Sequence, residues 1–517
     1  MHKSLSFAIL LSLVLLPMMG GIGFQYTNNT TRSEFAPSAV VDFERGPTVN
    51  LVTNNSAMIF WRTLTPTDAT VRFGVNTSIL ESETNATLDT DHFITISGLD
   101  ANTKYYYRVE SSGDQSETYH FLTAPEDGES FHMIVAGDNR PGSSEAPVQP
   151  EVFSELVDLM IAEEPHIVVL TGDFVYRIGT DDSANLAAWK LLTDITDRIG
   201  HYAPVIGVIG NHDTGVSSGI YATKYYTDAF VNTHENKTYF SFDYAGVHFT
   251  CLDTEEYGLE GHIVGDQYNW FVQDLTDNAG KMKFVFTHRP LYSTTHVGSS
   301  LDLNLTEREG LQDLLEEHNV TLFASGHDHS YSWMVNNGVT HLITGGLGAP
   351  LYFSSFAQAI YHYTNITVSP SGLDFAAITE ELSVADEFSI PLEGPILIFL
   401  REMENTSTKP LGEIPTILFS EVPTTVNYSW DGSTNSSTLT GLPGPSGEHT
   451  LDVYAENEES EWNHVRYVFT TLMPEPTTTE TPTSTAPPPD STLLIVGIVG
   501  IVAVVVVIII IIKVKKS

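Results

Sequence analysis

Thr321-Leu-Phe-Ala-Ser-Gly-His-Asp-His329 joins an apolar, strand-like run to a glycine and then to two histidines one residue apart. In an open α/β sheet, ligands gather beyond the carboxyl ends of the strands. A glycine there lets the backbone turn sharply enough to aim both imidazoles at one pocket. Alone, such a pair reads more readily as two polar loop residues than as metal ligands. The same half of the chain, however, holds four more strand-like runs that end in metal-ligand residue types. That repetition constrains the fold more than any other feature.

The runs alternate with helical patterns. His132–Ala136, Ile167–Leu170, Val205–Ile209, Phe284–Phe286 and Leu322–Ala324 are short and apolar. Between them, 151–163, 185–199, 267–275 and 307–317 carry apolar residues at helical spacing, for example Val152, Phe153, Leu156, Leu159 and Met160. Such alternation predicts a layered α/β domain over residues 131–378, closing with hairpin-like strands around 340–344 and 361–377.

The five run ends are Gly137-Asp138-Asn139-Arg140, Gly172-Asp173-Phe-Val-Tyr176, Gly210-Asn211-His212-Asp213, Val285-Phe-Thr-His288 and Gly326-His327-Asp328-His329. The candidate ligands among these residues are two carboxylates, one amide, three imidazoles and a phenol. Oxygen and nitrogen donors in this mixture suit Fe, Zn or Mn rather than thiolate-loving ions. Two carboxylates with several neutral donors can hold two divalent ions when one carboxylate bridges them.

The five blocks in this order resemble the calcineurin-like metallophosphoesterases, and more narrowly the purple acid phosphatases, over about residues 47–378. The resemblance implies an α-β-β-α layered catalytic domain and two metal ions, Fe with Zn, Mn or Fe. The first ion would take Asp138, Asp173, Tyr176 and His329. The second would share Asp173 and take Asn211, His288 and His327. Arg140 stands where the wider superfamily has a histidine and the purple branch a glycine, so it either crowds the metal or binds a phosphate oxygen. Tyr176 is a ligand by the resemblance, or a plain aromatic at a strand end. Asp213 stands where glutamate is more common. Asn211, His212 and Arg140 would contact substrate. His212 and His296 would handle protons, His296 otherwise being an ordinary loop histidine. The implied reaction is hydrolysis of a phosphate ester, a small-molecule substrate, by a hydroxide held between the ions, with Asp173 central to it. A phosphodiesterase or nucleotide hydrolase on the same scaffold without iron is an alternative, and so is a non-catalytic surface adhesion protein. Gly345-Gly-Leu-Gly348 lacks a following Lys-Ser/Thr, so it reads as a tight turn rather than a phosphate loop.

The remainder of the 517 residues reads as modules around this domain. Residues 47–124 alternate β-branched and aromatic runs with turns, which predicts a β-sandwich. Leu99-x-x-x-Thr103-x-Tyr105 resembles the leucine–tyrosine corner of fibronectin type III domains. Residues 382–471 predict a small Ig-like β-sandwich, and 473–491 a Pro/Thr-rich stalk unable to build a core. Residues 1–21 read as a signal peptide. Leu493–Ile512 is apolar and long enough to span a bilayer, and Lys513, Lys515 and Lys516 in the 513–517 tail place that tail in the cytoplasm. The expectation is a single-pass protein of the cell membrane with nearly all of the chain extracellular. Asn-x-Ser/Thr acceptors such as Asn76, Asn304 and Asn365 permit glycosylation.

Charge excludes one class of partner. Lys plus Arg number 23 against 65 Asp plus Glu, a formal charge of −42, so no nucleic acid is expected to bind by charge. Cys251 is the only cysteine, which rules out an intrachain disulfide and predicts a buried apolar role for it.

Overall fold

The computed structural model describes residues 43–472, apart from 79–80, 144–148, 216–220, 232–236, 392–397, 401–407, 411–416, 420–422, 434–435, 441–446 and 457–461. The signal peptide, stalk, transmembrane segment and tail expected from sequence lie outside the described residues. Among the described residues no helix is long and apolar enough to cross a membrane.

The first module is a β-sandwich-like domain. Its strands are β1 (Phe43–Asn50), β2 (Ser56–Gly74), β3 (Glu81–Ser97), β4 (Lys104–Ser111), β5 (Asp114–Gln115) and β6 (Tyr119–Leu122). The long β2 breaks register after Arg62 and again after Thr67. Ahead of the breaks it pairs with β1, and beyond them with β4, so one strand serves both layers. Trp61, Val71, Ile96, Tyr107 and Phe121 fill the core between them. The corner read from sequence is present, since the Asp100 N–H donates to Tyr105 Oη at 3.0 Å and Leu99 is buried.

The second module contains two six-stranded sheets. One runs β18-β17-β16-β7-β8-β9, from β7 (Phe131–Ala136), β8 (Ile167–Leu170), β9 (Val205–Gly207), β16 (His362–Ser369), β17 (Gly372–Thr379) and β18 (Val384–Pro391). The other runs β10-β11-β12-β13-β15-β14, from β10 (Phe240–Tyr244), β11 (Val247–Cys251), β12 (Met282–Phe286), β13 (Val320–Ser325), β14 (Tyr331–Asn336) and β15 (Val339–Thr344). β7, β8 and β9 are mutually parallel, and so are β11, β12, β13 and β15. The sheets share a core in which Met133, Val135 and Val169 meet Phe249, Phe284 and Leu322. Helices α1 (Glu151–Ala162), α2 (Asp182–Gly200) and α3 (Lys224–Ala229) cover the outer face of the first sheet, burying Phe153, Leu156, Trp189 and Tyr226. Helices α4 (Gly265–Asp277) and α5 (Leu305–Glu317) cover the second with Phe271, Leu275 and Leu315. The layering is therefore α-β-β-α.

Local chemistry sets the helix starts. Asp181 accepts the N–H groups of Ser183 and Ala184 ahead of α2, and Asn304 those of Thr306 and Glu307 ahead of α5. Asn304, read above as a glycosylation acceptor, has its side chain engaged as this cap. Cys251 is fully buried at the end of β11. Val384–Pro391 corrects the expected boundary at 378. It pairs antiparallel with β17 as the edge of the catalytic sheet, not as part of the third module.

The β-sandwich-like domain is fastened to the α/β domain by buried polar contacts. Arg45 grips Asp197 through Nε at 3.0 Å and Nη2 at 3.1 Å, and Tyr107 Oη donates to the His201 carbonyl at 2.9 Å. His201, which matches no ligand pattern, is thus an interface residue. Beyond 391, Ile398–Leu400 pairs with Ile417–Phe419, and 408–410, 425–430, 447–456 and 462–472 form a four-stranded sheet.

Candidate metal centre

All five predicted run ends lie at the carboxyl ends of parallel strands and meet in one buried cluster. Asp138 follows β7, Asp173 follows β8, Asn211 follows β9, His288 follows β12, and His327 and His329 follow β13. Asp138, Asp173 and His327 all have positive φ, at 62°, 60° and 67°. Non-glycine residues seldom adopt that region, and strain of this kind concentrates at functional sites. The glycines in front make the turns possible. A Cβ on Gly172 (φ +100°) would stand 2.8 Å from His288 Nδ1, and one on Gly326 would collide with Asp138 Oδ2.

One group of donors surrounds Asn211. Its Oδ1 lies 2.9 Å from both His288 Nε2 and His327 Nδ1, and those two nitrogens are 3.2 Å apart. Asp173 Oδ1 is 3.3 Å from His288 Nε2. His288 spends its Nδ1–H on the Thr171 carbonyl at 2.9 Å, which leaves Nε2 as a bare lone pair among acceptors. With the His327 proton on Nε2, three neutral acceptors face one another, an arrangement that a cation among them relieves, and committing the other ring nitrogen is how ligating histidines are oriented. This set fits a divalent ion.

The other group is Asp138, Asp173 and His329, buried, with one ligand atom from each within 4.8 Å of the others. His329 donates Nδ1–H to the Pro350 carbonyl at 2.6 Å and stacks on Tyr352, which leaves Nε2 facing Asp138 Oδ1 at 3.4 Å. Asp138 Oδ1 has no hydrogen-bond partner. Arg140 reaches into this group. Its Nε donates to Asp173 Oδ2 at 3.1 Å, and Nη2 lies 3.5 Å from His329 Nε2. Tyr176 is half-buried at the rim, and its ring contacts are with His212, Arg140 and Arg177. A guanidinium and an ion would therefore compete for Asp173 Oδ2 and His329 Nε2 in this group.

The two proton-handling candidates flank the cluster. His212 hydrogen-bonds through Nδ1 to the Tyr176 carbonyl, and its Nε2 lies 3.9 Å from Asp173 Oδ2. The His296 ring is 4.4 Å from that of His327, and its Nδ1 bonds Asp328 Oδ1 at 3.0 Å. Burial works against ionisation of Asp173, but the charges of His288, His212 and Arg140 carry its pKa below the ordinary value. Burial lowers His212, with Asp173 opposing. His327 is held well below the usual histidine range by burial, then by the charges of His288 and Arg289.

Two carboxylates have supporting roles that the sequence did not show. Asp213 accepts four backbone N–H groups, from Asp173, Phe174, Val175 and Gly210, at 2.8–3.3 Å. Asp328, the middle residue of the histidine pair, accepts from Ser293 Oγ, Thr294 and the Thr295 N–H, and so holds the loop that presents His296. Their positions beside Asn211 and His327 were the only signal, and spacing does not show which way a side chain turns.

The calcineurin-like phosphoesterase profile matches residues 131–331, and the purple acid phosphatase N-terminal domain profile matches residues 46–123. The chain carries a calcineurin-like phosphoesterase domain. Its homologues are purple acid phosphatases. Purple acid phosphatase 23 of Arabidopsis thaliana is 24% identical over 278 residues, covering 47% of this chain and 57% of that protein. The Fe(3+)-Zn(2+) purple acid phosphatase 12 of the same plant is 23% identical over 394 residues, covering 68% and 76%. A purple acid phosphatase from yellow lupin (Lupinus luteus) seeds superposes with a TM-score of 0.56 at 19% identity, covering 67% and 74% of the two chains, which shows the shared fold. The chain spans about half the length of several of the curated relatives that it matches. In the phosphoesterase domain, the matched 131–331 stretch includes every predicted site residue.

Proposed function

We propose that the chain hydrolyses phosphate esters at this cluster with a divalent ion held by Asp173, Asn211, His288 and His327. The observation that carries the reading is the meeting of Asn211 Oδ1 with His288 Nε2 and His327 Nδ1 at 2.9 Å each, with the His288 proton committed elsewhere. When bound there, such an ion polarises a phosphoryl oxygen and lowers the pKa of water. The chain's own groups do the rest. Arg140 fixes a positive charge beside Asp173. His212, 22% exposed at the rim with Nδ1 engaged, holds Nε2 3.9 Å from Asp173 Oδ2, where it would act on a bound phosphoryl group. His296, with Nδ1 on Asp328, presents Nε2 as the proton donor for the leaving oxygen. No side chain serves as a covalent nucleophile in this scheme.

The iron-containing two-ion centre implied by the resemblance depends on Tyr176 and the Asp138–His329 group, and Arg140 stands in that group. This favours the second reading, an iron-free phosphoesterase of mono- or diesters, over a coloured one. Placement of nearly all of the chain outside the cell, on one C-terminal membrane helix, rests on the sequence of 493–512 and the lysines after it.

The test is hydrolysis of p-nitrophenyl phosphate and bis(p-nitrophenyl) phosphate by the full chain, before and after chelation and with Mn(II) or Zn(II) restored. Activity lost on chelation and regained with the ion is expected, on one or both esters. An ion-loaded chain inert on both would leave the adhesion reading.

A further inference from the structure

We propose that Arg140 replaces the first metal ion, so that Asp173 bridges one bound ion and one guanidinium instead of two ions. This rests on the phosphoesterase reading and changes its metal count.

The two oxygens of Asp173 are divided between two cationic places. Oδ1 faces His288 Nε2 at 3.3 Å and accepts the His212 N–H at 3.0 Å. Oδ2 accepts Arg140 Nε at 3.1 Å. The other guanidinium nitrogens are used as well, Nη1 on the Pro141 carbonyl at 3.3 Å and Nη2 at 3.5 Å from His329 Nε2.

His329 decides the matter. Its Nδ1–H goes to Pro350, so its one remaining lone pair is on Nε2. A single lone pair accepts either a guanidinium N–H or a metal ion, not both. Asp138 Oδ1, 3.4 Å from that nitrogen, is the acid left beside the fixed cation.

Arg140 is also poorly placed to leave. Its side chain is 8% exposed, its N–H donates to the Asp173 carbonyl at 3.0 Å, and its guanidinium lies 5.8 Å from the centre of the Tyr176 ring. Guanidinium keeps its charge throughout the physiological range, so this half of the centre is neither lost to chelators nor oxidised or reduced. It also separates the Tyr176 ring from the role of a coloured iron ligand.

The experiment is elemental analysis of metal per chain on the full-length protein saturated with Mn(II) and freed of loose ion. Wild type and Arg140→Lys are expected to hold one ion, and Arg140→His and Arg140→Gly two. Two ions in wild type would overturn the inference while leaving the phosphoesterase reading intact. One ion in a folded Arg140→His or Arg140→Gly chain would also overturn it, since removing the arginine would then have opened nothing. No ion in wild type would instead remove the reading on which the inference rests. Should one variant fail to fold, the other and the wild-type count still decide.

Discussion

The backbone N–H of Asp173 donates to Asp213 Oδ2 at 3.0 Å, and the same carboxylate takes in Gly210 at 2.8 Å. One buried side chain thus ties the β8 turn to the β9 turn and sets how Asp173 and Asn211 face each other. Asp213→Ala would leave four donors without an acceptor, each costing about 1–3 kcal/mol when buried. We expect a loss of roughly 3 kcal/mol or more in denaturant unfolding, with ion binding lost in what remains folded. Unchanged stability would show that the carboxylate is not the clasp.

Gly210 leaves no room for a side chain. A Cβ there would collide with the Asp173 backbone nitrogen and stand 2.6 Å from Asp173 Oδ1. Gly210→Ala should weaken ion binding by about 10–100-fold, the range seen when support for a metal ligand is disturbed. Isothermal titration with Zn(II) reads this directly, and an unchanged affinity would remove Asp173 Oδ1 from the ion's ligands.

The layered fold was legible because β7, β8, β12 and β13 are nearly continuous apolar runs, as buried parallel strands must be. The six clustered positions, Asp138, Asp173, Asn211, His288, His327 and His329, were legible because each lies just beyond an apolar run. Asp213 and Asp328 were not, since their importance lies in backbone donors brought together from elsewhere in the chain. Arg140 was visible as a departure, but its hydrogen bonds to Asp173 and its contact with His329 were not. β18 was misplaced because Val384–Pro391 has an exposed, weakly apolar pattern, typical of a sheet edge.

Asp328→Asn tests the positioning of His296. The amide keeps one acceptor oxygen but offers N–H where Thr294, Thr295 or His296 also donates. Hydrolysis should fall about 10–100-fold, most for esters with poor leaving groups, while metal content stays that of wild type. An equal fall for good and poor leaving groups would contradict a proton-donor role for His296.

Arg45→Ala tests the fastening of the two domains. It would strand Asp197, only 12% exposed at its side chain, without its partner. Breaking a buried pair from one side costs about 3–5 kcal/mol. A thermal-melting comparison should show that loss, or an early separate transition, with hydrolysis per folded molecule unchanged.

His248 gives the pH dependence. Burial works to lower its pKa, but hydrogen bonds to Asp274 at 2.9 Å and Asp243 at 2.8 Å outweigh it, so the net shift is upward. A folded-state pKa above the unfolded value, about 6.5, adds stability that is complete below that value and lost as pH rises through the folded one. Melting temperatures of wild type and His248→Gln should therefore differ most in mild acid and converge in alkali. A gap that does not change with pH would show that His248 is uncharged in the folded chain.

Electron paramagnetic resonance of the Mn(II)-saturated full chain tests the one-ion centre directly. A single ion should give the hyperfine pattern of an isolated Mn(II) with couplings to imidazole nitrogen, which weaken in His288→Ala and in His327→Ala. The denser pattern of two exchange-coupled ions, or nitrogen couplings that depend on His329, would contradict it.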